Sequence, residues 1–192
     1  MKVNEEKILE VAYRLYKQKG VQSVNLQHVA CTCGVGLWDV KLKFKSKKDL
    51  VSAMVKYILD KKSVYLSINS SLSPSAVAEM INFLKFIDDN INELGAGILV
   101  ELRRYQPVAL DQFKEWVDIK LIPCLQRIIE RGLSEGFFRD DLDHELYVAT
   151  YFYVLRSVLE SDSQDWAATR LLINHINDIF LHGALNVKGM HI

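Results

Sequence analysis

The sequence predicts an all-α protein. An N-terminal helix-turn-helix module of three helices is joined by a long helix to a C-terminal helical bundle, about nine helices in all. Apolar residues recur at helical spacing along most of the chain, and no strand-like alternation persists. Capping residues stand where the periodic stretches begin, and glycine or proline where several of them end.

The first helix is expected after Asn4, a good N-cap, with Glu5 and Glu6 complementing the helix dipole and Ile8, Val11, Ala12 and Leu15 as its apolar stripe. Lys17, Lys19 and Gly20 close it. Asn25 caps a short second helix striped by Leu26, Val29, Ala30 and Cys33, and Gly34 supplies the left-handed turn. Val35 is placed where that turn tucks a side chain into the core. A third helix spans about Leu37 to Lys43 and is anchored by Phe44. Ser46 caps a fourth, with Leu50, Ala53, Met54, Tyr57 and Ile58 inward.

The polar run Ser67–Ser73 reads as a separator, and Ser73-Pro74 as N-cap and first position of a fifth helix. Gly95 and Gly97 are expected to break that pattern, leaving Ile98 to Tyr105 as a sixth helix that ends before Pro107. A seventh, from about Ala109 to Ser134, is expected to kink or break at Pro123. Asp143 caps an eighth, His144 to Ser161, and a ninth runs from Asp165 to Leu181.

The chain has 192 residues, enough for one compact domain or one with an appendage. The boundary is set after residue 48, with the helix-turn-helix module over 1–48 and the helical bundle over 49–192. Residues 1–65 carry thirteen lysines and arginines against six acids, an excess of seven positive charges. The remainder has eleven against eighteen, so a net charge of zero hides a basic head and an acidic body. That asymmetry suggests a polyanionic partner for the head.

The opening Met1-Lys2-Val3-Asn4-Glu5-Glu6 turns acidic where a secretory signal would turn apolar, and the uncharged run Leu146–Leu155 is half a membrane span. A cytoplasmic protein without membrane association is expected. Cys31 and Cys33 are spaced C-x-C rather than C-x2-C, with His28 the only other nearby ligand type, so no metal and no cofactor are expected. His28, His144, His175, His182 and His191 stand apart from any nucleophile pattern, and no Gly-rich phosphate loop occurs. An enzyme is not expected.

"ILEVAYRLYKQKG" (8–20) and "NLQHVACTCGVGLWDVKLKFKSKKDL" (25–50) resemble the first helix, the helix-turn-helix and the start of helix four of the TetR family of bacterial transcriptional regulators. "ERGLSEGFFRDDLDHEL" (130–146) more weakly resembles the family's passage into helix eight. The resemblance implies a double-stranded DNA operator as partner, met by Asn25, Gln27, His28, Gly36, Leu37, Trp38, Asp39, Lys41, Leu42, Lys43 and Lys47. Lys41, Lys43 and Lys47 would meet phosphates, as would the amides of Lys47 and Lys48. Leu37, Trp38 and Leu42 offer apolar contact to a thymine methyl or a sugar. Packing of Trp38 on its own module is the other reading. Two departures stand out: Lys41 replaces a tyrosine, and Asp39 puts a carboxylate in the recognition helix. Asp39 would accept from a cytosine amine, pair with Lys43 or cap the helix, three alternatives that stay open.

The resemblance further implies a repressor released from its operator by a small molecule of unknown identity, bound in the C-terminal bundle. The alternative is a DNA-binding structural or partner-binding protein without a ligand. Residues suited to an apolar pocket with a few polar groups are Tyr105, Phe113, Trp116, Lys120, Cys124, Tyr151, Phe152 and Arg156. Arg156 would meet an anion, or pair with a carboxylate such as Glu101 or Asp162. Helix eight is apolar nearly all round, which calls for cover on two sides. A homodimer interface is therefore expected from Tyr147, Tyr151, Leu155, Val158, Leu172, Ile176, Ile179 and Phe180.

Overall fold

The computed structural model describes residues 4–160 and 165–191. It is all-α: α1 Glu5–Lys19, α2 Leu26–Cys33, α3 Leu37–Lys43, α4 Lys47–Leu72, α5 Ala76–Tyr105, α6 Pro107–Trp116, α7 Ile122–Ser134, α8 His144–Glu160 and α9 Trp166–Ala184. Among the described residues there is no strand, only an isolated bridge between Phe138 and Leu185. No helix there is long and apolar enough to cross a membrane. The chain forms two compact units. Residues 1–62 with 97–116 make the first, and residues 63–96 with 117–192 the second.

In the first unit the capping signals act as expected, whereas Val35, Ala53, Tyr57 and Ile58, expected inward, are only half-buried. Asn4 accepts from the Glu6 amide at 3.1 Å and opens α1. Ile8, Ala12, Leu15 and Tyr16 bury one side of α1, and Val21, Val24, Val29, Ala30, Val40, Phe44 and Leu50 complete the core. Gly34, at φ 72° and ψ 36°, lets α2 stop and α3 depart at an angle. Ser46 and Asp49 cap α4 reciprocally: the Asp49 amide donates to Ser46 Oγ at 3.1 Å, and the Ser46 amide to Asp49 Oδ2 at 3.0 Å.

The middle of the chain departs from expectation at the serines, at the start of α5 and at the glycines, and breaks near Pro123 as expected. The Ser67–Ser73 run does not interrupt α4, which continues to Leu72. Ser67 and Ser71 turn their hydroxyls back onto the carbonyls of Ser63 and Ser67, at 3.1 and 3.0 Å, and so remain compatible with a helix. α5 begins at Ala76, with Ser75 rather than Ser73 capping it through the Ala78 amide at 3.2 Å. Gly95 and Gly97 do not end α5, whose thirty residues absorb a cost of about 1 kcal/mol per glycine. The expected seventh helix is split into α6, a π-helical turn over Val117–Leu121, and α7. Pro123, which has no N–H to donate, stands just after that wider turn.

The second unit is centred on Met80, Phe83, Leu84, Ile87, Leu125, Ile128, Ile129, Tyr151, Phe152, Leu155 and Ile173. Asp143 accepts from the Leu146 amide at 2.9 Å, so α8 starts where its cap predicts, and Asp165, expected as the first residue of helix nine, instead caps α9 through the Ala168 amide at 3.0 Å. The expected end of helix eight at Ser161, like Asp162, lies outside the described residues.

Candidate functional site

α2 and α3 are short, so their ends decide how they stand. Asn25 Oδ1 accepts from the His28 amide at 2.9 Å, and His28 Nδ1 accepts from the Asn25 amide at 3.4 Å. Asn25 and His28 therefore form a capping box at the start of α2. Gln27 beside them is exposed and donates to Cys31 Sγ at 3.2 Å. At the far end the Val35 amide reaches back to the Ala30 carbonyl at 3.0 Å.

α3 buries Val40 and anchors itself on Phe44, while Leu37 is half-buried. Its opposite face is bare: Trp38 is 71% exposed and Leu42 69%, and Lys41 and Lys43 are exposed among them. A large indole left in water, on a helix with its own core side filled, is a surface prepared for contact. Trp38 does not fold back on its module. Asp39 accepts from the Gly36 amide at 3.1 Å, which makes it a cap. The expected ion pair with Lys43 is absent from this arrangement; Lys43 instead approaches Glu5 at 3.6 Å.

Lys47 is placed differently from its neighbours. Its Nζ donates to the Gln22 carbonyl at 2.8 Å, and the amine is half-buried. Partial burial lowers its pKa, against an upward pull from the Glu101 carboxylate. The ammonium group has three N–H donors, so this one contact leaves two that can point elsewhere.

The residues assembled from the sequence as a ligand pocket are divided. Tyr105, Phe113 and Trp116 belong to the first unit, where the Phe113 and Trp116 rings lie 6.2 Å apart. Lys120, Cys124, Tyr151, Phe152 and Arg156 belong to the second. Cys124 is buried, which pushes its thiol pKa up, and its sulfur accepts from Arg127 at 3.5 Å. Lys120 is exposed. Arg156 is exposed as well and pairs with a carboxylate, that of Asp118 at 3.4 Å, so it is not the semi-buried cation that an anionic ligand would need.

Three of the expected interface residues turn inward. Tyr151 has no exposed surface: its hydroxyl donates to Asn177 Oδ1 at 2.9 Å, and Asn177 in turn donates to the Leu84 carbonyl at 3.3 Å. Leu155 and Ile176 are buried with it. Tyr147 donates to the Phe180 carbonyl, and the Phe180 ring meets Tyr147 and Tyr151 edge-on with centroids 5.0 Å from each. The apolar groups that do face outward on α8 and α9 are Leu146, Tyr153, Leu171, Leu172 and Ile179, with Tyr153 74% and Ile179 68% exposed. A shallow apolar groove there is lined by Tyr153, Val154, Val158, Ala168 and Leu172, among others.

A polar cluster that sequence reasoning missed lies in the second unit. Glu79 has no exposed surface, and its two oxygens meet Arg127 and Arg131, each at 2.8 Å. Arg131 also donates to Glu135 at 2.6 Å and to the Ser73 carbonyl at 3.1 Å. Glu135 accepts from the Ala76 amide at 2.8 Å, closing the start of α5. The visible signal was an acid inside the apolar stripe Ala76, Val77, Met80, Phe83. Among the described residues, no group of three or more His, Cys, Asp or Glu gathers as metal ligands would.

No family model matches the chain. It is 36% identical over 61 residues to the uncharacterised HTH-type transcriptional regulator YuxN of Bacillus subtilis, covering 32% of this chain and 21% of that one. It is 30% identical over 59 residues to an HTH-type transcriptional regulator of Staphylococcus aureus (strain USA300), covering 31% of this chain and 32% of that one. The chain thus spans between a fifth and a third of the length of these relatives. Likeness to solved structures is longer. A TetR transcription regulator from Haloarcula marismortui superimposes with a TM-score of 0.77 at 20% identity, covering 94% of this chain and 97% of that one. The regulator FadR of Bacillus subtilis, in complex with stearoyl-CoA, gives 0.70 at 16% over 94% and 99%. A regulator from Saccharomonospora viridis, in complex with choline, gives 0.71 at 17% over 94% and 97%.

Proposed function

We propose that this chain, which has the fold of TetR-family transcriptional regulators, is itself a DNA-binding transcriptional regulator and not an enzyme. The observation that carries the reading is the outer face of α3, where Trp38 and Leu42 stand in solvent among Lys41 and Lys43. Short helices capped at both ends hold that face rigidly, and its mixture of cations with a bare ring suits phosphates and base edges. The basic excess of residues 1–65 adds a sequence-independent attraction to the duplex.

The protein acts as a cytoplasmic homodimeric repressor, released from its operator when a small molecule enters the second unit. Regulators of this fold seen with stearoyl-CoA and with choline support a ligand response, without naming the ligand here. The outward apolar side chains of α8 and α9 support self-association. Within the recognition module, Trp38, Leu42 and Lys41 make the direct contacts. Asn25, His28 and Asp39 hold helix ends in place, and Gly36 opens α3.

The test uses duplexes that the wild-type protein selects from a random library. Lys41→Ala should lower the slope of log K against log salt by about one unit. Trp38→Ala should weaken binding about tenfold without changing the slope, because it removes no phosphate contact. If both variants bind as the wild type does at every salt concentration, this face is not the DNA surface.

A further inference from the structure

Glu101 sits on α5, eighty residues from the turn that it holds. Its Oε2 accepts from the amides of Val21 and Gln22, the latter at 3.1 Å. Two successive amides on one carboxylate oxygen form a small anion-binding nest, and both hydrogen bonds are charge-assisted. The other oxygen lies against Gly20: a β-carbon there would stand 2.5 Å from Oε1. Lys47, at the start of α4, grips the same turn from its carbonyl side, through Gln22 O at 2.8 Å. On α5, the neighbouring Leu102 is buried and fixes the helix locally.

Only Ser23 and Val24 separate this held turn from Asn25, the cap of α2, and Val24 is fully buried. So few residues cannot absorb a shift, since an extended chain gains at most about 3.5 Å per residue. The start of α2 is therefore set by where the turn is held, and α3 follows α2 through the fixed turn at Gly34.

We infer that Glu101 is a positioning residue for DNA recognition: by clamping the amides of Val21 and Gln22 it sets the pose of α2 and α3 without touching DNA. The inference rests on the DNA-binding reading above. It also means that the stretch of α5 around residue 101 is held to the turn between α1 and α2 by hydrogen bonds to a carboxylate.

Three readouts test it on the full-length protein. Glu101→Ala should lower affinity for a selected duplex about tenfold, the scale set by losing charged hydrogen bonds. Affinity for an unselected duplex and the salt slope should not change, because no phosphate contact is lost. Glu101→Gln, which keeps an acceptor without the charge, should restore part of the ratio. Hydrogen exchange of the Val21 and Gln22 amides should quicken in both variants, more in Glu101→Ala. If Glu101→Ala unfolds, Glu101→Gln carries the comparison. Unchanged exchange, an unchanged specific-to-nonspecific ratio, or loss of both affinities in step for a folded Glu101→Gln would each overturn the clamp's role. A wild type that selects no duplex would instead remove the regulator reading, and the exchange measurement alone would then decide whether the clamp exists.

Discussion

Glu79 is a carboxylate with no exposed surface, between α5 and α7, and it survives there because two guanidinium groups meet it. Glu79→Gln would leave both arginines facing a neutral group. The expected loss is about 3 kcal/mol, toward the low end for a broken buried pair because Arg127 and Arg131 still reach water. Urea unfolding with an unchanged m-value measures it. Glu135 in the same cluster adds a pH dependence. Burial alone would raise its pKa, but the Ala76 amide and Arg131 outweigh that and hold it below the ordinary 4.5. A depressed carboxylate stabilises the fold above its unfolded value, and that contribution is lost as pH falls through the folded value. Stability should therefore fall less steeply below pH 4.5 in Glu135→Gln than in the wild type, followed by urea midpoint against pH. Residue-scale roles were legible where the partner is close in sequence. Asn4, Asn25, Ser46 and Asp143 were all visible as caps. Asp39 was not decidable, because an acid three residues into a short helix suits a cap, an ion pair or a base contact equally well. The structure shows the cap, through the hydrogen bond from the Gly36 amide, and draws Lys43 toward Glu5 instead.

Elements were legible in type and order, less so in where they stop. The serines of α4 and the glycines of α5 look like breaks because each disfavours a helix locally, yet Ser67 and Ser71 bond back to their own helix and the glycines cost only about 1 kcal/mol each. α8 shows a different failure. A helix that is apolar nearly all round has no wet face to orient it, so periodicity could not say which of Tyr147, Tyr151 and Tyr153 points inward. The structure buries Tyr151 and exposes Tyr153. Charges at Tyr151 or Ile176 would thus disrupt the subunit itself and say nothing of association. The informative variant is Leu172→Glu with Ile179→Glu, both on exposed positions of α9. It should sediment as a folded monomer, with helical circular dichroism unchanged. A dimer in the double variant would place the contact away from this face of α9.

At the scale of the whole molecule, the division between a basic head and an acidic body was plain in the charge count, and the fold agrees with solved regulators over more than nine-tenths of the chain. The identity of a ligand was not legible, and the residues proposed for its pocket fall into two separate compact units. A pocket depends on which side chains converge from distant helices, and helical spacing reports only one helix at a time. The clamp escaped notice for the same reason: nothing near Glu101 in sequence hints at Val21. Its packing against Gly20 also has a mutational consequence. Gly20 adopts φ 79° and ψ 156°, a conformation open to glycine almost alone, and the absent side chain is where the carboxylate rests. Changes at the two positions are therefore unequal in effect. Glu101 can be lost while Gly20 stays, whereas replacing Gly20 would strain the turn and push the carboxylate aside.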